Sequence, residues 1–244
     1  MYAGAGDCQD GGFPVDFYVR QNQIVAYTRS PNPNPGYATM AGPDWGAFAL
    51  LLIDVQQDFW SPDAARAFPD FPENTARLLR FCRTEGIDIV HIRALFEPDR
   101  SDWMVRYVLK GSIPCIRGTP GAEPLSCARE LPGERVVTKH TFDAFHTPDL
   151  LPYLRRRGKR FVLAAGLVTS VCVLLTTASA AQRGFLTAVV EDCCADDGPE
   201  AHTDTLARYP FIFERTTVDR LNERYGHWMA FVRSLRFDAE GGTL

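Results

Sequence analysis

The chain has 244 residues, 45% of them hydrophobic, and a formal net charge of −4. That is enough apolar material for one sizeable core, and the acidic balance excludes the basic footprint that nucleic acid or an anionic membrane surface demands. No apolar run approaches the ~20 residues that span a bilayer, and the N-terminus lacks a basic-then-apolar leader, so a small molecule is the expected partner and the cytoplasm the expected compartment.

Residues 1–47 stand apart in character. A hairpin is predicted over Phe13 to Thr28, and Pro31-Asn32-Pro33-Asn34-Pro35-Gly36 follows as an extended, polyproline-like arm. This extension is read either as a loosely attached terminus or as an arm that crosses a neighbouring subunit and helps close its pocket. From residue 48 to 244 strand and helix patterns alternate, which predicts βαβ units in one α/β domain: a doubly wound, mostly parallel sheet with helices on both faces.

In chain order, Phe48 to Ile53 is an apolar strand ending at Asp54, and Asn74 to Glu85 is a helix stopped by Gly86. Ile87 to Ile92 is a strand with Arg93 and Phe96 beyond its end. Residues 97–134, rich in proline, glycine and charge, are predicted as an irregular excursion over the mouth of a site. Arg135 to Lys139 is a strand ending in a lysine, Asp149 to Arg157 a helix, Arg160 to Ala165 a buried strand, and Val171 to Arg183 a helix. Phe185 to Glu191 (strand), Glu200 to Arg208 (helix), Phe211 to Phe213 (short strand) and Val218 to Leu235 (closing helix) complete the pattern.

The stretch Ala164-Ala165-Gly166-Leu167-Val168-Thr169-Ser170-Val171-Cys172-Val173 breaks an apolar run at a glycine and delivers one cysteine to a helix start. Thr169 or Ser170 can cap that helix, and its unpaired amides and dipole are expected to lower the thiol pKa from about 8.5 and to hold an oxyanion. The other reading of a free cysteine, a small buried apolar residue, stands beside this one. In open parallel sheets functional groups gather at the carboxyl ends of strands. Asp54, Lys139 and Cys172 can therefore converge on one crevice as base, orienting cation and nucleophile. Taken singly, Asp54 can be a turn cap and Lys139 a solvated strand end.

Three segments carry a resemblance: Asp54-Val55-Gln56-Gln57-Asp58-Phe59, Lys139 followed by Phe142-Asp143-Ala144-Phe145, and Gly166 through Val173. Together they resemble the isochorismatase-like cysteine hydrolase superfamily. Glu191-Asp192-Cys193-Cys194-Ala195-Asp196 resembles its next strand end, and Gly118-Thr119-Pro120-Gly121 a turn common in it. The match covers roughly residues 48 to 215, and the branch it resembles is that of the metal-independent amidohydrolases similar to N-carbamoylsarcosine amidohydrolase. The resemblance implies a three-layer α/β/α fold, Cys172 as nucleophile, Asp54 as general base and Lys139 holding both. It also implies a cis peptide at Leu167-Val168, an oxyanion hole from the N–H groups of Val168 and Cys172, a homo-oligomer, and a reaction in which a small amide, N-carbamoyl or ureide substrate passes through a thioester.

No cofactor and no metal are expected. The resemblance implies an Asp-x-His plus His site in nicotinamidases, whereas the five histidines here, at 91, 140, 146, 202 and 227, lack zinc-ligand spacing, which also argues against nicotinamide as substrate. A pairing of Cys172 with His140 or His146 is the competing arrangement. The seven cysteines are odd in number and scattered, so no disulfide framework is expected. Phe59, Trp60, Phe96, Trp103 and Phe145 are the candidate aromatic lining of a substrate pocket. Two other functions stay open: enol-ether hydrolysis with an aspartate as acid, against which Cys172 speaks, and a non-catalytic docking module, against which the complete set of three residues speaks.

Overall fold

A computed structural model describes residues 43–235 and the backbone of residues 15–20 and 23–28. The chain divides into two units, residues 1–40 and 41–244. In the first, Val15–Arg20 (β1) and Gln23–Thr28 (β2) pair antiparallel with Arg20 opposite Gln23, the predicted hairpin. The proline-rich segment, and with it the expected arm, lies outside the described residues.

The second unit is built on six parallel strands: β3 (Phe48–Ile53), β4 (Asp88–Ala94), β5 (Arg135–Lys139), β6 (Phe161–Leu167), β7 (Leu186–Ala195) and β8 (Glu214–Thr216). Their order across the sheet is β5-β4-β3-β6-β7-β8. Every residue of β3 and β6 is buried. A parallel strand in mid-sheet is covered on both faces, which is why both segments read as unbroken apolar runs. The edges are blunted differently: β8 has three residues, and β5 exposes Arg135 and Val136.

The chain runs from β3 outward to β4 and β5, returns, and runs from β6 outward the other way to β7 and β8. Because parallel crossovers are right-handed, this reversal puts the helix after β3, α2 (Phe71–Glu85), on one face and the helix after β6, α5 (Leu174–Gln182), on the other. The switch point lies between β3 and β6. Trp45 joins Phe48, Phe81 on α2 and Tyr225 on α7 (Leu221–Ser234), so α7 shares the α2 face. Trp228 of α7 closes it over the stacked rings of Phe48 and Phe161. On the opposite face, Ala144, just after β5, donates its N–H to Thr176 of α5. Helices α4 (Leu150–Arg156) and α6 (Pro199–Arg208) fall as predicted to within a residue or two.

Several boundaries differ from the sequence reading. Residues 210–212 form a turn, Phe213 is irregular, and the last strand is Glu214–Thr216, where the alternating Glu-Arg-Thr pattern of a short edge strand carries little apolar signal. A short helix, α1 (Pro62–Ala67), capped by the Ser61 hydroxyl, precedes α2. The stretch 97–134 is not wholly irregular, since it contains α3 (Val105–Lys110). β7 runs four residues past its predicted end because its register against β6 shifts between Ala164 and Gly166, which brings Cys194 and Ala195 beside Gly166 and Leu167.

Candidate active site

β3 ends by turning sharply. Asp54 adopts φ +50 and its N–H donates to the Ile92 carbonyl of β4 at 2.9 Å, which drops its side chain into the floor of the switch-point crevice. One carboxylate oxygen accepts from the Ala94 N–H at 3.0 Å. The other lies 2.7 Å from the Lys139 ammonium at the end of β5. Lys139 also donates to the Thr141 carbonyl at 2.7 Å and to Cys172 Sγ at 3.6 Å. An ammonium has three N–H donors, and all three are committed, so this lysine is a fixed cation rather than a proton carrier. Lys139 thus joins the Asp54 carboxylate to the Cys172 thiol. All three groups are buried, with Cys172 5% exposed and Lys139 1%.

The cysteine reaches this position through β6. Gly166 sits opposite Ile53 with φ +129, and a Cβ there would come within 2.0 Å of the Ile53 carbonyl oxygen, so only glycine allows β6 to approach β3 so closely. The Leu167-Val168 bond is cis. A π-helical turn, Thr169–Val173, then carries Cys172 into α5. The expected cap from Thr169 or Ser170 is not what holds this turn. Instead the Ser170 N–H donates to Asp196 at 2.7 Å, and the Thr169 hydroxyl turns to the Ala195 carbonyl and His202 Nδ1. A carboxylate from the end of β7 does the capping, and the lengthened strand is what supplies it.

The thiol pKa runs opposite to the sequence expectation. Burial pushes it up, the Asp54 charge pushes further, and Lys139 offsets only part of this. The helix start is too deeply covered for its dipole to decide the outcome. Burial likewise raises Asp54 against the pull of Lys139. Burial works to lower Lys139, but Asp54 and Cys172 outweigh it and hold the ammonium above its ordinary range. At rest the cluster is a thiol and an ammonium around a carboxyl whose proton affinity is raised. Neither competing histidine enters it: His140 pairs with Asp102 at 2.9 Å, and His146 is exposed.

The five aromatic candidates separate. Phe96 is buried with Ala94, Ile113 and Cys115 in a small cluster beneath the excursion, against which Phe59 and Trp103 pack. Trp103 donates its indole N–H to the Glu97 carbonyl at 2.7 Å. Trp60 instead stacks on Phe71 at the start of α2 at 4.9 Å. Phe145 is buried away from the cluster's aromatic rings: it packs on Phe185 and under Arg183, whose guanidinium folds back onto Ser179 of α5. Proximity to Lys139 in sequence had suggested otherwise, but the chain after β5 descends along α5.

Three contributors were not assigned from sequence. Gln56, buried, accepts from the Ala94 N–H and donates to the carbonyls of Ala94 and Ala122, tying β3, β4 and the excursion together at the site. Asp58 accepts from the Cys115 N–H at 2.7 Å while Gly121 packs directly on its carboxyl group, so the Gly118 to Gly121 turn is pinned there. Asp196 is the third. Gln56 and Asp58 lie within the strand-end motif after Asp54, and that position was the available signal. Among the described residues, no three His, Cys, Asp or Glu side chains are grouped to hold a metal ion, Cys82, Cys115, Cys127, Cys172, Cys193 and Cys194 are free, and no helix is long and apolar enough to cross a membrane.

Comparison with known proteins agrees with this geometry. Residues 48–217 match the model of the isochorismatase domain. The chain is 31% identical over 153 residues to the isochorismatase family protein YddQ of Bacillus subtilis, covering 60% of this chain and 77% of that one. It is 26% identical over 191 residues to Nicotinamidase 3 of Arabidopsis thaliana, covering 76% and 87%. The crystal structure of an isochorismatase family protein from Desulfovibrio vulgaris superposes with a TM-score of 0.67 at 28% identity, covering 74% of this chain and 98% of that one. On its matched domain, its doubly wound parallel sheet and its relatives, this chain belongs to the isochorismatase family of hydrolases.

Proposed function

We propose that the chain is a cysteine hydrolase that cleaves a C–N bond of a small amide, N-carbamoyl or ureide substrate through a thioester. The observation that carries this reading is the junction at Lys139, whose ammonium lies 2.7 Å from Asp54 and 3.6 Å from Cys172 in a buried site. A thiol and a carboxylate gathered on one ammonium put a nucleophile beside its base. An enol-ether hydrolase needs an acid and has no use for the sulfur, and a docking module has no use for the buried ion pair.

The steps follow from the contacts. As Sγ bonds to the substrate carbonyl carbon, its proton passes to Asp54 and the C=O electron pair moves onto oxygen. That oxyanion needs donors, and the N–H groups of Ser170, Val171 and Val173 are already committed to Asp196 and to the Val168 carbonyl. The N–H groups of Val168 and Cys172 are the proposed pair, and such donors contribute about 10²–10³ in rate. Collapse breaks the C–N bond, and Asp54 returns its proton to the leaving nitrogen, which departs as a neutral amine or ammonia. Water then attacks the thioester carbonyl as Asp54 takes its proton. The C–S bond breaks, and the proton goes back to sulfur. Lys139 stays charged throughout and fixes both partners. Free thiols and thiol chemistry suit a reducing compartment, so we place the protein in the cytoplasm.

The test is a screen of primary amides, N-carbamoyl compounds, ureides and lactams, with acyl-enzyme trapping by mass spectrometry. Turnover is expected with an acyl mass on Cys172. Cys172→Ser and Asp54→Asn are each expected to lose about 10³-fold or more in kcat/KM. Full activity in either variant, or turnover of enol ethers with no covalent adduct, would remove the proposed roles.

A further inference from the structure

The excursion places over this cluster one polar side chain that the mechanism above does not use. Tyr107, in the middle of α3, is half-buried, while Val105 and Leu109 of the same helix are 75% and 78% exposed, so the helix turns this residue inward. Its ring meets Phe96 at 6.4 Å and Phe142 at 6.2 Å. Those two rings follow the ends of the neighbouring strands β4 and β5. Phe96 lies two residues past Ala94, whose N–H holds Asp54, and Phe142 follows Thr141, whose carbonyl holds Lys139. A ring in contact with both lies over the strand ends that hold Asp54 and Lys139. Burial raises the Tyr107 phenol above its ordinary range, and the charges of Cys172, Lys139 and Asp54 all reach it. Its hydroxyl has no hydrogen-bond partner among the described residues.

We infer that Tyr107 is a substrate-contacting specificity residue whose ring roofs the thiol and whose hydroxyl donates a hydrogen bond to an acceptor on the substrate beyond the scissile carbonyl. The inference deepens the hydrolase reading and rests on it for the reaction. It narrows the substrate class: compounds with a second acceptor, as N-carbamoyl amino acids and ureides have, are taken in preference to simple aliphatic amides. Excess binding comes from pairing a donor that the protein itself leaves unpaired.

Tyr107→Phe keeps the ring and removes the hydroxyl; Tyr107→Ala removes both. For an N-carbamoyl amino acid, Tyr107→Phe is expected to raise KM about fivefold with kcat within about twofold, and to leave KM for an aliphatic amide unchanged. Alkylation of Cys172 by iodoacetamide, read by peptide mass spectrometry, is expected to be unchanged in Tyr107→Phe and about threefold faster or more in Tyr107→Ala, because the roof is gone. The same fold-change in KM for both substrate types on going to Tyr107→Phe, a loss confined to kcat, or unchanged alkylation in Tyr107→Ala overturns the inference. The alkylation arm reads the roof even in a chain that hydrolyses no amide, so failure here is distinct from full activity of Cys172→Ser, which overturns the hydrolase reading.

Discussion

Asp54 takes its character from where β3 leaves it. A carboxylate with no access to water stays protonated to higher pH than a free one, and burial outweighs the opposing pull of Lys139. If Asp54 is the base, kcat/KM falls as pH drops through that raised value, so the acid limb of the pH–rate profile is expected above about pH 4, the ordinary carboxylate value. The thiol and ammonium are both held up, so no basic limb is expected between about pH 6 and 9. These limbs belong to the coupled Asp54–Lys139–Cys172 set rather than to one group. A profile that stays flat down to pH 4, or that breaks near pH 8, contradicts the assignment. Among neighbouring residues, Gly166 is the one with no substitute. Gly166→Ala drives a methyl into the Ile53 carbonyl at a positive φ and is expected to cost about 3 kcal/mol or more. Thermal melts should show Tm falling by roughly 6–12 °C.

Between elements, a half-buried carboxylate does work that no single strand or helix can do. Glu134, just before β5, accepts two bonds from Arg83 of α2, one from His91 of β4 and one from the Leu131 N–H. Burial works to raise its pKa, but these donors outweigh it and hold the carboxyl at about 2. Burial also lowers His91 against the pull of Glu134, so its ring is neutral near pH 7. A depressed folded pKa contributes stability that is complete above the unfolded value, near 4.5, and is lost as pH falls toward 2. Glu134→Gln is therefore expected to lower stability by about 1–3 kcal/mol at pH 7. The difference in Tm from the parent should shrink steadily between pH 5 and pH 3, within about that window. A deficit that does not change with pH would locate the effect in packing.

At the scale of the whole α/β unit, the two ends of the sheet divide the labour. The carboxyl ends of β3, β5 and β6 collect Asp54, Lys139 and Cys172 at the switch point. The amino ends hold a separate cavity of about 390 Å³ lined by Arg83, Asp88, Glu134, Tyr153 and Arg157 among others. Its charges are satisfied among themselves: Arg157 grips Asp88 with two bonds, and Lys159 adds a third contact. That end reads as stability. Arg157→Ala is expected to leave kcat/KM within about threefold and to cost about 0.5–1 kcal/mol, since the guanidinium is largely exposed. A large loss of activity in this variant, measured on a substrate from the amide screen, would show that the ends are coupled.

The strands, most helices and the three cluster residues were legible because they rest on local physics. Continuous apolar runs mark strands buried on both faces, and a charged residue closing such a run marks a strand end. What the sequence could not supply depends on residues far apart in it. Asp196 caps the Cys172 turn only because a register shift lengthens β7, Phe145 leaves the site because the chain descends along α5, and Tyr107 faces the cluster because α3 folds back between Phe96 and Phe142. The thiol pKa is of the same kind. A helix start favours negative charge whatever surrounds it, but the covering of that start is a property of the packed unit, and desolvation outweighs a dipole. The sequence by itself determined which groups stand at the strand ends, since periodicity and strand termini are local. Only the tertiary structure decided their protonation and their neighbours, since burial and contact are set by segments that meet only when the sheet closes.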